Sequence, residues 1–84
     1  MKLQIIKNIT EFIEKNDEDF VLEAIDVLNH ISQAKGLSDE ELEIIGELLS
    51  NMYGAIEVDK RIKSGEDRKD ALNNFMKRVI GTIS

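Results

Sequence analysis

Residues 37–56 read LSDEELEIIGELLSNMYGAI and contain the clearest helix pattern in this chain of 84 residues. Ser38 can cap the free N–H groups of a helix start, and Glu41 can bond back to the Ser38 backbone. Apolar residues then recur at the three- and four-residue spacing of a single helix face. This stripe comprises Leu42, Ile45, Leu49, Met52 and Ile56. The pattern predicts a long helix that begins at Ser38.

Two helices are predicted before it. The first ends near Lys15, and one of its faces carries Ile5, Ile6, Ile9, Phe12 and Ile13. Side-chain oxygens and carboxylates at residues 16–19 suit the positive end of a second helix. We expect this helix to run to Gly36, because glycine readily adopts the left-handed conformation found at helix ends. The stripe of the second helix comprises Phe20, Ala24, Val27, Leu28 and Ile31.

A fourth helix is predicted after a Ser-Gly pair at residues 64–65. Its apolar face comprises Ala71, Leu72, Phe75, Met76, Val79, Ile80 and Ile83. The chain has no proline, and the connections between the predicted helices are short, which favours antiparallel neighbours. We therefore predict an all-α fold in a single domain, residues 1–84. The domain is a compact antiparallel bundle of four helices, of which the third is the longest.

Gly54 and Asp59 interrupt the apolar face of the third helix. A carboxylate within that face is costly to bury without a partner. Either the helix bends or frays after Gly54 and turns Asp59 outward, or Asp59 pairs with a nearby base. The candidate bases are Arg61, Lys63 and Arg68. We prefer the bend, because a glycine inside a helix weakens it. Alternatively, Gly46 and Gly54 mark places where another helix comes close.

Composition limits the class of protein. Hydrophobic residues make up 42% of the chain and charged residues 33%, which is too apolar for a disordered chain. No run of about 18 apolar residues is present to span a membrane, and the N-terminal residues lack the apolar stretch of a secretory signal. There is no cysteine, so neither a disulfide nor a thiolate metal site can form. We predict a cytoplasmic protein without membrane insertion.

No group of residues in the sequence indicates catalysis. His30 is the single histidine, and it lies at the border of the second helix's apolar stripe, where a structural role is typical. The five glycines are isolated, so no glycine-rich phosphate loop is present. Helical metal sites usually pair a glutamate with a histidine three residues later, and His30 lacks such a neighbour. We predict a protein that is not an enzyme and binds no metal or cofactor.

The third helix has more apolar surface than one neighbouring helix can cover. Beside its main stripe lie four further apolar residues, Ile44, Leu48, Ala55 and Ile62. They widen the apolar sector to roughly 200°. We prefer the interpretation that this helix is central and is contacted by several others. In the alternative, the extra face, with Leu22 and Ile25 of the second helix, forms an interface with a partner or a second copy.

Charge divides unevenly along the chain. Residues 1–57 carry four Lys and thirteen Asp or Glu, whereas residues 58–84 carry seven Lys or Arg and four acids. The acidic part is either a surface for a basic partner or, as we prefer, a product of helix capping and dipole complementarity. The basic turn around residues 60–69 is a candidate contact for nucleic-acid phosphates. Interleaved acids, a lack of aromatic residues and a net charge of −6 argue against that contact.

In size, acidity and number of helices, the chain resembles small accessory proteins of bacteria and tailed phages, including bacteriocin immunity proteins. The resemblance covers composition and helix count and includes no motif. It implies a bundle of four helices that binds another protein, for example as an immunity-type inhibitor.

These features predict a small, non-enzymatic regulatory or accessory protein that binds another protein through an apolar helix face. The predicted partner-binding residues are the apolar anchors Leu22, Ile25, Ile44, Leu48 and Ile62 and the steering residues Lys60, Arg61 and Arg68. The partner is a different protein, a second copy in a homodimer, or both. The alternative functions are a nucleic-acid contact through the basic turn and a structural role as a subunit of a larger assembly.

Overall fold

A computed structural model describes the backbone of residues 2–83 and the side chains of residues 2–79. Within this part of the chain there is no strand, and the helices are α1 (Leu3–Lys15), α2 (Glu18–Ile31), α3 (Asp39–Lys63) and α4 (Arg68–Ile83). The predicted all-α bundle is confirmed, and so is the third helix as the longest, with 25 residues. Ile80 and Ile83, which we predicted on the apolar face of α4, lie outside the described side chains.

The start of α3 is fixed by the predicted capping box. Ser38 Oγ accepts a hydrogen bond from the Glu41 backbone N–H at 3.1 Å, and Glu41 Oε1 accepts one from the Ser38 N–H at 3.0 Å. The pKa of the Glu41 carboxyl group is lowered below its usual value of 4.5, mainly by the hydrogen bond that it accepts from the Ser38 backbone N–H and then by its interaction with the Ser38 side chain. Both bonds favour the charged carboxylate, so the cap is strongest when Glu41 is ionised.

The second helix ends earlier than predicted. α2 stops at Ile31, where the Ser32 hydroxyl donates to the Asn29 carbonyl at 2.7 Å and the backbone turns tightly through residues 32–34. Gly36 lies beyond this end, in the connection to α3, with a φ of +89°. The expected left-handed glycine is present, but it shapes the connection and does not end the helix.

Helices α1 and α3 form the central pair of the fold. They run parallel, since the Lys2 N–H donates to Asn51 Oδ1 at 2.9 Å while Ile13 and Ile62 line one cleft further along both helices. α2 and α4 run in the opposite direction and pack separately against this pair. Within the described residues, α2 and α4 do not contact each other.

Gly54 lies where both α1 and α4 approach α3. A Cβ atom at this position would lie 3.0 Å from Phe75 Cζ and 3.2 Å from Ile6 Cδ1. The missing side chain therefore allows the three helices to meet closely. No neighbour lies within 4 Å of the corresponding position at Gly46, so only Gly54 marks a close approach.

Our preferred prediction for Asp59 was wrong. α3 continues as a helix to Lys63, and Asp59 faces inward with 1% of its surface exposed. The alternative explanation applies, because Lys63 Nζ lies 2.9 Å from Asp59 Oδ2. Lys63 follows four residues later on the same helix side and brings a compensating charge to the buried carboxylate.

The buried core lies along the second half of α3. Its apolar members are Ile6, Ile13, Val21, Ile25, Ala55, Ile56, Val58, Ala71, Leu72 and Phe75. No residue of α3 before Asn51 is fully buried. The radius of gyration is 13.7 Å, above the roughly 12 Å expected of a compact domain of this length, and the extents of 44 × 34 × 17 Å describe a flat molecule. Much of the helix surface is therefore uncovered.

Candidate protein-binding surface

The first half of α3, residues 39–50, exposes several apolar side chains. α1 begins beside Asn51, so it packs along the second half of α3 and not the first. Ile44 is consequently 62% exposed and Leu48 is 36% exposed. Ala55, which lies on the same side of the helix but beside α1, is fully buried. One helix side is thus core in its second half and open surface in its first.

A groove runs between α1 and α2 and encloses about 430 Å³. It is lined by Asn8, Ile9 and Phe12 of α1, by Phe20, Val21 and Ala24 of α2, and by Met52 of α3. Phe12 and Phe20 meet edge to face, with ring centroids 6.1 Å apart and planes at 82°. Even so, Phe20 is 58% exposed, so the aromatic pair forms an open apolar wall of the groove.

The groove continues onto the first half of α3. Ile45, Leu48 and Met52 are spaced at i, i+3 and i+7 and therefore share one side of the helix. Met52 forms part of the groove, so Leu48 and Ile45 extend its lining toward the start of α3. We call the groove together with the first half of α3 the apolar surface.

On α2, the predicted buried stripe is largely the exposed one. Phe20, Val27 and Ile31 are all exposed, whereas Val21 and Ile25 are buried against the core. One residue corresponds to about 100° of helix rotation, so burial of the neighbouring stripe leaves the predicted stripe turned outward. The prediction was wrong because α2 carries two apolar stripes and only one of them faces the core.

The structure separates the five predicted apolar anchors. Leu22, Ile44 and Leu48 are exposed, as an interface would require. Ile25 must be corrected, because it is 4% exposed and belongs to the core, and Ile62 is partly buried against that core. Leu22 follows Phe20 by two residues, about 200° around α2, and so lies on the opposite flank from the groove.

The predicted steering residues take part in ion pairs within the chain. Arg68 pairs with Glu11 and Glu14 of α1, which raises the pKa of Arg68 above its usual value, mainly through the hydrogen bond to Glu14. Arg61 lies 3.8 Å from Glu57 and 3.5 Å from Glu66. The other predicted steering residue, Lys60, is exposed. The basic turn therefore presents less uncompensated positive charge than the sequence suggests.

Carboxylates are numerous on two of the segments that form the apolar surface, α2 and the first half of α3. α2 carries four Asp or Glu and no Lys or Arg, and residues 39–50 carry five acids and again no Lys or Arg. Several of these acids take part in no ion pair within the side chains that the structure describes. They include Glu23, Asp26, Glu40 and Glu43. α2 and the first half of α3 therefore carry an excess of negative charge, whereas the α1 side of the groove also carries Lys15, which lies beside Phe12.

The described residues lack both a metal-binding cluster and a membrane-spanning helix. They contain no group of three or more His, Asp or Glu side chains arranged to hold a metal ion. None of their helices has the length and apolar character needed to cross a membrane.

A match to a protein family extends over the whole chain. A family model described as a family of unknown function, DUF6952, matches residues 1–84. The chain belongs to the DUF6952 family. Searches of curated proteins and of solved structures found no match.

In this DUF6952 member, the groove residues Phe12, Phe20 and Met52 were not predicted as part of a site, because their spacing is that of apolar helix faces that pack in a core. The width of the apolar sectors of α2 and α3 could have indicated that some of these residues are exposed. α2 and α3 each carry more apolar residues than one neighbouring helix can cover, and the sequence does not show which stripe the neighbour selects.

Proposed function

We propose that this protein is a non-enzymatic binding protein that docks its apolar surface on another protein and thereby changes that protein's activity or assembly. The observation that supports the proposal is the set of exposed apolar side chains in the α1–α2 groove and on the first half of α3, which includes Phe20, Leu48 and Ile44. Single exposed apolar residues are ordinary, whereas a contiguous group on one side of a small protein is typical of an interaction site.

The arrangement of the surface suits the binding of a helix or another elongated partner. Met52, Leu48, Ile45 and Ile44 lie within about 12 Å along α3, and the aromatic pair extends this surface into the groove. Large aromatic side chains at the centre of an apolar patch are frequent binding hot spots. An accessory role in the cytoplasm, such as that of an immunity-type inhibitor, is the biological setting that we propose for this surface.

Photo-crosslinking in the native host tests the proposal. A photoreactive amino acid at position 44 or 48 is expected to capture the same partner protein, because both positions lie on the apolar surface. The matched control carries the photoreactive residue at position 69 of α4, which is also exposed but lies on a different helix. Capture of the same proteins with equal yield from all three positions would count against the proposal.

The double substitution Ile44→Glu and Leu48→Glu provides the second arm of this test. Two charges on the exposed turns of α3 are expected to weaken binding of the captured partner at least tenfold, while helical circular dichroism stays close to that of the wild type. If the double variant unfolds, these residues belong to the core and the proposed surface does not exist.

A further inference from the structure

We infer that the apolar surface receives an amphipathic helix whose apolar face is flanked by Lys or Arg. This inference rests on the proposed function and specifies the chemistry of the partner. It follows from three observations: the helical walls of the groove, the aromatic pair that lines it, and the acidic residues of α2 and the first half of α3.

The charge of the surface indicates the charge of the partner. α2 and the first half of α3 together contain nine Asp or Glu and no Lys or Arg. On α2, Glu23 is exposed beside the stripe that contains Phe20. A basic partner would be attracted to this side and oriented on it, whereas an acidic partner would be repelled.

The same charge argues against a second copy as the occupant. Two copies meeting through this surface would bring α2 and the first half of α3, with their nine acids, against an equally acidic surface. Like charges placed together across an interface disfavour the pairing. At the opposite end, Arg61, Lys63 and Arg68 pair with carboxylates of their own chain, which leaves less positive charge there to offset this repulsion.

The groove favours a helix over an extended segment. Its walls are two helices, α1 and α2, which supply apolar side chains and no free backbone edge, so an extended chain would find no hydrogen-bond partners there. A helix satisfies its own backbone and needs only apolar anchors at three- and four-residue spacing. Phe12, Phe20 and Met52 would contact such anchors, and Glu23 would meet a flanking base.

Titration with designed peptides tests this inference. The probe is a helical peptide of leucine and lysine, about 15 residues long, with its leucines on one face. One control peptide has glutamate in place of lysine in the same pattern, and a second has the probe's composition in scrambled order. Binding is measured by calorimetry and by amide chemical shifts of the wild-type protein in nuclear magnetic resonance spectra.

We expect the patterned lysine peptide to bind, the glutamate peptide not to bind, and the scrambled peptide to bind at least tenfold more weakly. The largest amide shifts are expected at Ile9, Phe12, Phe20, Ala24 and Met52, which line the groove. Equal affinity for the patterned and scrambled lysine peptides would overturn the inference, because it would reduce the interaction to nonspecific attraction between opposite charges.

Substitutions in the protein separate the groove from the rest of the surface. Phe20→Ser is expected to lower affinity for the lysine peptide about tenfold, as truncation of an aromatic anchor does. Leu22→Ser removes an exposed apolar side chain from the opposite flank of α2 and should leave affinity unchanged. Glu23→Gln should weaken binding at low salt and have little effect at high salt. Equal losses from Phe20→Ser and Leu22→Ser would refute the groove as the binding site.

The outcomes of the two experiments are distinguishable. If photo-crosslinking at position 44 identifies a specific partner but the lysine peptide does not bind the groove, the proposed function stands and the basic helix is wrong. If the peptide fails because the purified protein is a dimer closed through the groove residues, a second copy is the occupant and the inference is again overturned.

Discussion

Asp59 is the buried carboxylate of α3, and Lys63 lies one helical turn further on, 2.9 Å away. The hydrogen bond to Asp59 raises the pKa of Lys63 above its usual value of 10.5. A base whose pKa is raised by folding contributes stability below its unfolded pKa and loses that contribution as the pH rises through the folded pKa. The raised pKa of Lys63 therefore contributes stability throughout the neutral range, and this contribution is lost in strongly alkaline solution.

Removal of the Lys63 charge tests the importance of this pair. Lys63→Met leaves the buried Asp59 carboxylate without its ionic partner, and we expect the melting temperature at pH 7 to fall by roughly 4–8 °C. Lys60→Met is the matched control, because Lys60 is an exposed lysine of the same helix turn, and it should shift the melting temperature little. Thermal unfolding followed by circular dichroism measures both changes. Equal shifts in the two variants would show that Asp59 does not depend on Lys63.

At the scale of the helices, α3 contains two glycines in opposite situations. Gly54 is enclosed by Phe75 and Ile6, whereas the space around Gly46 is open. Glycine weakens any helix interior, so both positions lower the intrinsic helix stability of α3. Only at Gly54 does the packing of two other helices compensate for that loss.

Alanine substitutions should therefore have opposite effects at the two positions. Gly54→Ala places a Cβ 3.0 Å from the Phe75 ring and is expected to lower the free energy of unfolding by about 1–3 kcal/mol. Gly46→Ala meets no neighbour and should raise the free energy of unfolding by about 0.5–1 kcal/mol. Urea unfolding measures both values. A stabilising Gly54→Ala would show that the three helices are not closely packed at this point.

The helices themselves were predictable from the sequence, while their buried faces were only partly so. Ser38 and Glu41 define a local cap, and local hydrogen bonds of this kind depend on residues a few positions apart. The choice between the Phe20 stripe and the Val21 stripe of α2 depends on how α2 meets α1 and α3, which local spacing does not determine. The preferred prediction for Asp59 was wrong for a similar reason, because the burial of Asp59 depends on the packing around α3 as well as on Lys63.

At the scale of the whole molecule, flatness and charge act in opposite directions. The 17 Å thickness leaves an apolar surface open to association, while a net charge of −6 keeps copies apart. The candidate site could be predicted in part, since Ile44 and Leu48 were identified from the width of the apolar sector. The groove could not be predicted, because it depends on how far α1 lies from α2 in the assembled fold.

This balance predicts a self-association that depends on pH. At pH 7.5 and low salt we expect light scattering to give the 9.6 kDa mass of one chain, because the acidic surfaces repel each other. As the pH falls toward the isoelectric point of about 4.7, carboxylates are protonated, the repulsion weakens and the mean mass should rise. The variant with Ile44→Glu and Leu48→Glu should show a smaller rise. A stable dimer of the wild type at pH 7.5 and low salt would contradict the expected monomer.

The continuity of α3 also restricts how the length of this chain can change. Insertion of one residue between Leu49 and Met52 would rotate the first half of the helix by about 100° relative to the core, so Leu48 and Ile45 would no longer continue the lining formed by Met52. An insertion of seven residues would change the angle by only about 20° and would nearly restore the alignment. The proposed binding half of α3 and its buried half must therefore keep the same relative rotation. The helix can lengthen only by insertions that preserve this angle.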